Sequence, residues 1–192
     1  MIKAISVFCG SSTGFPPIYT QTAQLLGKSL AEKNIELVYG AGNIGLMGIV
    51  ADATLENGGK VLGVIPEFLK NWEVCHTGLT ELIVTDNMHQ RKQIIDERSD
   101  AVIALPGGYG TLDELFEILT WRQLHLHNKP IGVLNVNGYY DHMILHCKKM
   151  VEDGFLKADN LNLFVVAKKV EEMLAKLNEN VELMKNEGKW IR

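Results

Sequence analysis

A glycine-rich segment in the middle of the chain carries the residue types and spacing that most clearly indicate chemistry. It runs Pro106-Gly107-Gly108-Tyr109-Gly110-Thr111 and follows a short apolar run, residues 101–105. Glycines let backbone N–H groups approach an anion closely, and the positive end of a following helix adds to the attraction. The segment therefore predicts a site for a phosphate-bearing ligand.

Two carboxylates, Asp113 and Glu114, follow this turn. Thr111 and Glu114 have the spacing of a capping box, in which Glu114 would only cap a helix. The alternative is a chemical role, because two carboxylates beside an anion site are costly unless one of them has a task. A carboxylate there is suited to stabilise a developing oxocarbenium ion or to activate a water molecule, as in glycoside hydrolysis.

A basic pair, Arg91 and Lys92, is the second unusual feature. Asn87 is a good N-cap with Gln90 at the third helical position, so both cations lie near the start of a helix. There they oppose the helix dipole at a cost of about 0.3–1 kcal/mol each. They either extend to solvent or pair with acids, or they bind an anion. The nearby phosphate-type turns favour anion binding by Arg91.

Two further Gly- or Ser-rich turns, residues 9–12 and 40–45, follow the first two apolar runs. The second turn has the G-x-G-x-x-G spacing of a dinucleotide fingerprint. It follows the second predicted strand, however, and no acidic residue ends the third, where Ile65-Pro66 stands, so nicotinamide binding is not favoured. The alternative to ligand binding, for part of residues 40–48, is that the glycines only allow tight turns between a strand and a helix.

The histidines do not indicate a metal site. His142 and His146 share a predicted helix face, but no glutamate completes an H-E-x-x-H motif. Trp121 lies seven residues after Glu114 on the same helix face. It either forms the wall of a base pocket or packs in the core.

Short β-rich apolar runs alternate with helical patterns along the chain. Strands of this kind form parallel sheets that are covered on both faces. We predict one α/β domain, residues 1–192, with a Rossmann-like doubly wound parallel sheet, helices on both faces and ligands at the carboxyl ends of the strands. Residues 66–79 are predicted to be irregular, 163–166 to be the last strand, and 178–192 to be a polar tail that is partly mobile or packs on a partner.

Composition narrows the function classes. The net charge of −4 over 192 residues gives no reason to expect nucleic acid as a partner. Three widely spaced cysteines indicate reduced thiols in the cytoplasm. The first residues are interpreted as a strand and not as a signal peptide, and no stretch approaches the ~20 apolar residues of a membrane span. We expect a cytoplasmic protein without a membrane partner.

These motifs resemble those of the Lonely Guy family of cytokinin-activating phosphoribohydrolases, long labelled "lysine decarboxylase-like". Residues 106–114 resemble the family signature P-G-G-x-G-T-x-x-E, and residues 88–92 resemble its M-H-x-R-K segment. The similarity extends from residues 9–12 to residues 152–155. One departure is Ala41, where the family usually has a glycine, and the extra methyl is expected to narrow the approach of a ligand.

The resemblance implies an enzyme that hydrolyses the N-glycosidic bond of a purine nucleoside 5′-monophosphate, AMP or an N6-modified form, and releases free base and ribose 5-phosphate. It implies no metal or organic cofactor, and a homodimer with the active site near the subunit interface. By position, Arg91 and Glu114 match the family's catalytic pair. The residues that match its substrate contacts are Glu73, Arg91, Lys92, Gly108, Tyr109, Gly110, Thr111, Leu112, Asp113, Glu114 and Thr120.

Two other functions stay open. Molybdenum-cofactor carrier proteins share this general fold and resemble the family distantly, so a nucleotide- or cofactor-binding carrier without chemistry is the main alternative. Amino-acid decarboxylation, which the old label suggests, needs a pyridoxal phosphate Schiff-base lysine with a partner for the ring nitrogen. No lysine of the sequence stands in such a setting. A structural or interaction module has no support beyond the implied dimer.

Overall fold

A computed structural model describes residues 2–70 and 75–186, which build one parallel β-sheet between two layers of helices. The strands are β1 (Ala4–Phe8), β2 (Glu36–Tyr39), β3 (Val61–Pro66), β4 (Glu81–Thr85), β5 (Ala101–Ala104), β6 (Ile131–Leu134) and β7 (Val165–Ala167). They lie in the order β4-β3-β2-β1-β5-β6-β7, and every neighbouring pair is parallel. The predicted Rossmann-like α/β fold is confirmed.

The helices between the strands cover both faces of this sheet. They are α1 (Pro17–Glu32), α2 (Gly45–Glu56), α3 (Glu67–Lys70), α4 (Met88–Glu97), α5 (Tyr109–Gln123), α6 (Asp141–Glu152) and α7 (Val170–Asn186). Along β1, Ile5 and Val7 are buried on the face that α1, α2 and α7 cover. Ala4 and Phe8 are buried on the other face, with α4, α5 and α6. Burial on both faces explains why the strands are apolar without alternation.

The strand order reverses between β1 and β5, which is where open α/β sheets bind their ligands. The turn after β1 meets the turn after β5 there, because Gly10 N–H donates to the carbonyl of Pro106 at 3.0 Å. The start of α2 joins them, because Leu46 N–H donates to the carbonyl of Gly10 at 3.0 Å. All three Gly- or Ser-rich turns of the sequence therefore share one edge of the sheet.

Several elements differ from the sequence-based expectations. The segment expected to be irregular begins with Pro66 still in β3 and then forms the short helix α3. The last strand begins at Val165, because residues Ala158–Leu163 wind into a 3-10 helix. In the predicted tail, residues 178–186 continue α7, and Val181 is buried on the chain's own sheet. Residues 187–192 lie outside the described ranges.

Ala41 occupies a conformation that favours glycine. Its φ is +63°, and this left-handed region costs alanine roughly 1–2 kcal/mol. The side chain is fully buried, and its methyl lies against β3, where a Cβ built on Gly63 would come within 2.8 Å of it. The methyl therefore does not narrow the ligand approach, and that expectation is wrong.

We predict that Gly63→Ala destabilises the fold by about 1–3 kcal/mol, because the added methyl would overfill this space. It would lie 2.4 Å from Cδ1 of Leu79 and 2.8 Å from Cβ of Ala41. Adding Ala41→Gly should recover part of the loss. Urea unfolding of the wild type, the two single variants and the double variant measures this coupling, and strictly additive changes would contradict it.

Candidate active site

An ion pair between Arg91 of α4 and Glu114 of α5 forms the centre of the site. Nη1 of Arg91 donates to Oε1 of Glu114 at 2.9 Å, and the two side chains are only 11% and 13% exposed. Nε of Arg91 also donates to the carbonyl of Val64 in β3 at 3.1 Å. Two residues 23 positions apart in the sequence are thus brought together beside the sheet.

Of the two alternatives for Glu114, the capping box at the start of α5 is wrong. The helix begins at Tyr109 with Gly108 as its N-cap, and no side chain caps it. Thr111 is already inside the helix and buried, with its hydroxyl against Gly107, where an added Cβ would lie 2.1 Å away. Glu114 is therefore not a helix cap, and its carboxylate faces Arg91 instead.

Burial raises the pKa of Glu114, and the charge of Arg91, followed by that of Lys92, offsets part of the rise. With a pKa higher in the folded than in the unfolded chain, ionising Glu114 costs folding free energy. Its contribution to stability therefore falls as the pH rises from the ordinary glutamate range through the raised pKa. A carboxylate kept at such a cost is typical of functional sites.

Lys92 is held between two carboxylates of α5. Its Nζ lies 2.8 Å from Oδ2 of Asp113 and 2.9 Å from Oε2 of Glu117. Burial lowers the pKa of Lys92, but the hydrogen bonds to both acids outweigh it, and the pKa is raised. Lys92 thus stays protonated and joins α4 to α5. Its expected contact with a phosphate stays a prediction.

The start of α4 is fixed as the sequence predicts. Oδ1 of Asn87 accepts from the N–H of Gln90 at 2.9 Å, and Oε1 of Gln90 accepts from the N–H of Asp86 at 2.8 Å. This cap sets where the first turn begins and so places Arg91 and Lys92. Both cations pair with acids, and the expected binding of an anion by Arg91 stays a prediction.

The first turn of α5 offers hydrogen-bond donors to an anion. The N–H groups of Tyr109, Gly110 and Thr111 have no acceptor within the helix, because they belong to its first turn. Gly108 and Gly110 have no heavy atom within 4 Å of the place where a side chain would begin. An anion therefore has open access to these donors and to the positive end of the helix dipole.

A cleft of about 260 Å³ opens beside this turn and is lined by residues 10–14, Tyr19, Leu46, residues 106–108 and Tyr139. The hydroxyl of Tyr139 donates to the carbonyl of Gly107 at 2.5 Å. The hydroxyl of Tyr140 donates to the carbonyl of Leu105 at 2.6 Å. These two tyrosines hold the backbone that leads into α5.

Trp121 supports the packing interpretation and not that of a base pocket. It packs against the hydrophobic cluster beneath α4 and α5. The cavity that it lines with Glu114 has a volume of only about 20 Å³, which suits one water molecule and not a purine.

Thr120 lies apart from the ion pair. Six residues after Glu114, it is turned about 120° around α5 and displaced about 9 Å along it. Its side chain is exposed, and its hydroxyl donates to the carbonyl of Phe116 at 2.7 Å. Glu73, the other predicted substrate contact outside the signatures, lies outside the described residues.

Three residues that contribute to the site are not predicted from the sequence. Glu117 has a signal, because it follows Asp113 by one helical turn and both carboxylates can reach the same cation. For Tyr139, the only signal in the sequence is its position directly after an Asn-Gly turn. Val64 contributes its backbone carbonyl, for which the side-chain pattern carries no signal.

Within residues 2–70 and 75–186, no group of three or more His, Cys, Asp or Glu side chains is arranged to hold a metal ion. None of the helices described here has the length and apolar character needed to cross a membrane.

Sequence comparison places the chain among named proteins. The family model described as "Possible lysine decarboxylase" matches residues 47–177. Cytokinin riboside 5′-monophosphate phosphoribohydrolase LOG5 of Arabidopsis thaliana is 46% identical over 91% of this chain and 77% of its own length. LOG1 of the same plant, with the same enzyme name, is 46% identical over 93% of this chain and 84% of its own length.

Solved structures share the fold at lower identity. The molybdenum cofactor carrier protein from Chlamydomonas reinhardtii has a TM-score of 0.72 and 21% identity, covering 95% of this chain and 99% of that one. The molybdenum cofactor binding protein from Rippkaea orientalis has a TM-score of 0.70 and 23% identity, covering 93% and 97%. These likenesses concern the fold alone.

We predict that the carboxyl of Glu114 titrates above the ordinary glutamate range, and that Arg91→Met raises its pKa further because the neighbouring cation is lost. Lys92→Met should raise it less, since Lys92 contributes the smaller charge effect. NMR titration of protein labelled with ¹³C in its glutamate carboxyls measures these values, with Glu114→Gln to assign the signal. A wild-type pKa at or below the ordinary value would contradict this description of the site.

Proposed function

Because this chain belongs to the Lonely Guy family of phosphoribohydrolases, we propose that it hydrolyses the N-glycosidic bond of a purine nucleoside 5′-monophosphate. The products are the free base and ribose 5-phosphate. The observation that carries the proposal is the buried pair of Arg91 and Glu114 next to the open start of α5. A carboxylate for the sugar and a donor set for the phosphate are then both carried by α5, within its first two turns.

The 5′-phosphate binds at the first turn of α5. The backbone N–H groups from Gly108 to Thr111 donate to its oxygens, and the helix dipole favours its charge. Tyr139 supports this arrangement. Its hydroxyl donates a hydrogen bond to the carbonyl oxygen of Gly107 and so offsets part of the negative charge that this oxygen presents near the anion. Phosphate binding at this turn accounts for a preference for monophosphates over nucleosides.

Glu114 acts on the ribose. Its carboxylate stabilises the positive charge that develops on the sugar as the C1′–N9 bond breaks, or orients the water molecule that adds to C1′. The water supplies the hydroxyl of ribose 5-phosphate, and its other proton ends on the departing base. Arg91 favours the ionised form of Glu114 and holds its carboxylate in place, and it contacts the phosphate, the hydroxyls or the base.

Two alternative functions are less well supported. A cofactor carrier is the second candidate, but the solved carriers share only 21% and 23% identity, against 46% for the named hydrolases. Decarboxylation through a Schiff base fits poorly, because such a lysine must be able to lose its proton. Lys92, the lysine at this site, has a raised pKa and lies on two carboxylates.

A second copy of the chain completes the proposed enzyme. Thr120 supports this, because its position on α5 directs it away from the pocket of its own Glu114. A substrate contact by Thr120 then has to occur in the site of a partner, in a homodimer with the active sites near the interface. Cys9, Cys75 and Cys147 are not joined in disulfides, which supports a cytoplasmic location.

We predict that Glu114→Gln keeps the fold but lowers kcat by at least about 100-fold. Glutamine still accepts a hydrogen bond from Arg91 but has no charge to offer the sugar. Release of free base from AMP and from N6-isopentenyladenosine 5′-monophosphate is followed by chromatography, with the unphosphorylated nucleosides as controls. A wild-type protein that binds the nucleotides but releases no base would contradict the proposal and support the carrier.

Mixing two inactive variants tests the shared site. We expect the Glu114→Gln dimer and the Thr120→Trp dimer each to have low activity. After subunit exchange, the mixture should regain about a quarter of the wild-type activity, because about half of the dimers are mixed and each mixed dimer has one intact site of two. Glu114→Gln mixed with Arg91→Met is the control and stays inactive, because both changes affect the same subunit's half of the site. If the mixture of Glu114→Gln with Thr120→Trp stays as inactive as this control, the result would contradict a site shared between subunits.

A further inference from the structure

Gly40 follows β2 directly and lies against the guanidinium group of Arg91. A Cβ built on Gly40 would lie 2.2 Å from Nη2 of Arg91, 3.3 Å from its Cζ and 3.8 Å from its Nε. The three nearest heavy atoms therefore all belong to that guanidinium. A side chain of any size at position 40 would occupy the space that Arg91 now fills.

The guanidinium is bound on its other sides as well. Nε donates to the carbonyl of Val64, and Nη1 donates to Glu114. We infer that Gly40 is a positioning residue for Arg91: its missing side chain leaves the space that the guanidinium occupies while it makes both bonds. This inference deepens the proposed function and rests on it for its effect on turnover.

The backbone at position 40 does not itself require glycine. Gly40 is not among the residues with positive φ, whereas its neighbours Ala41 and Gly45 both have φ of +63°. An alanine at position 40 is therefore free to adopt the native backbone. Its only steric conflict among the nearest atoms is with the end of one flexible side chain.

The same observation gives a role to the stretch that resembles a dinucleotide fingerprint. Gly45 packs on the turn after β1, where an added Cβ would lie 2.2 Å from the carbonyl carbon of Ser11. Gly48 packs on its own helix start, where a Cβ would lie 2.4 Å from the carbonyl oxygen of Asn43. Gly40 and Gly45, two of the three glycines with the fingerprint spacing, and Gly48 beyond them therefore pack against atoms of the chain itself.

A methyl group at position 40 has a defined consequence. It displaces Nη2, so that the guanidinium shifts as a rigid plane and the bond of Nη1 to Glu114 lengthens or breaks. The carboxylate of Glu114 then loses part of the positive charge that favours its ionised form. The fold is retained, because the displaced group is the end of a long side chain.

The test compares Gly40→Ala with a matched control, Gly132→Ala. Gly132 lies in β6, away from the site, and a Cβ there would lie 2.2 Å from Sδ of Met173, again the end of a flexible side chain. Thermal unfolding, base release and the NMR titration of Glu114 are measured for both variants. We expect Gly40→Ala to lower kcat by about 10- to 100-fold, more than it changes KM, and to raise the pKa of Glu114. Gly132→Ala should change neither kcat nor the pKa of Glu114.

A double variant separates positioning from a general structural effect. If Gly40 acts through Arg91, then adding Gly40→Ala to Arg91→Met changes neither kcat/KM nor the titration of Glu114 any further. Should Gly40→Ala fail to fold alone, it must fold in the Arg91→Met background, where the obstructing guanidinium is absent. Failure to fold in both backgrounds would overturn the inference.

The titration keeps this inference separate from the proposed function. An unchanged pKa of Glu114 in Gly40→Ala, or an equal rise in Gly132→Ala, overturns the positioning role whether or not the protein has activity. A wild type without base release overturns the proposed function, while the titration still decides whether Gly40 positions Arg91.

Discussion

The site depends on a buried charge pair that the surrounding fold has to hold together. Arg91 and Glu114 are both nearly excluded from water, and burial alone would drive Glu114 to its neutral form. An isolated buried carboxylate is costly, and a partner with good geometry offsets that cost. Because such a pair needs good geometry to offset the cost of burial, the two helices that carry it must be fixed relative to each other.

Three features of the fold meet this requirement. The Asn87 cap sets the first turn of α4, and Lys92 ties α4 to α5 through two carboxylates. The glycine-rich turns pack closely at the point where the strand order reverses, and this fixes the start of α5. The same turns leave the first N–H groups of α5 open, so one arrangement of the backbone provides both the proposed anion site and the placement of Glu114.

The sequence predicts the sheet, the Asn87 cap and the cluster of turns, because each depends on local periodicity or turn chemistry. It leaves two roles for Glu114 open, a helix cap or a chemical group, because the capping-box spacing is present in the sequence, and only the structure shows that Thr111 is buried and caps nothing. Nor does it reveal the contacts of Arg91 with Val64 and Gly40, which involve a carbonyl group and the absence of a side chain. Such contacts become visible only in the folded structure, because no side-chain pattern in the sequence marks them.

We propose that the ionised form of the buried Glu114 drives hydrolysis of a nucleoside 5′-monophosphate. The most direct measurement is kcat/KM for the monophosphate as a function of pH. Since burial raises the pKa of Glu114 above its usual value of about 4.5, activity should fall with decreasing pH through a midpoint clearly above that value. A rate that stays constant down to the ordinary glutamate range, or that falls only below it, would contradict the account.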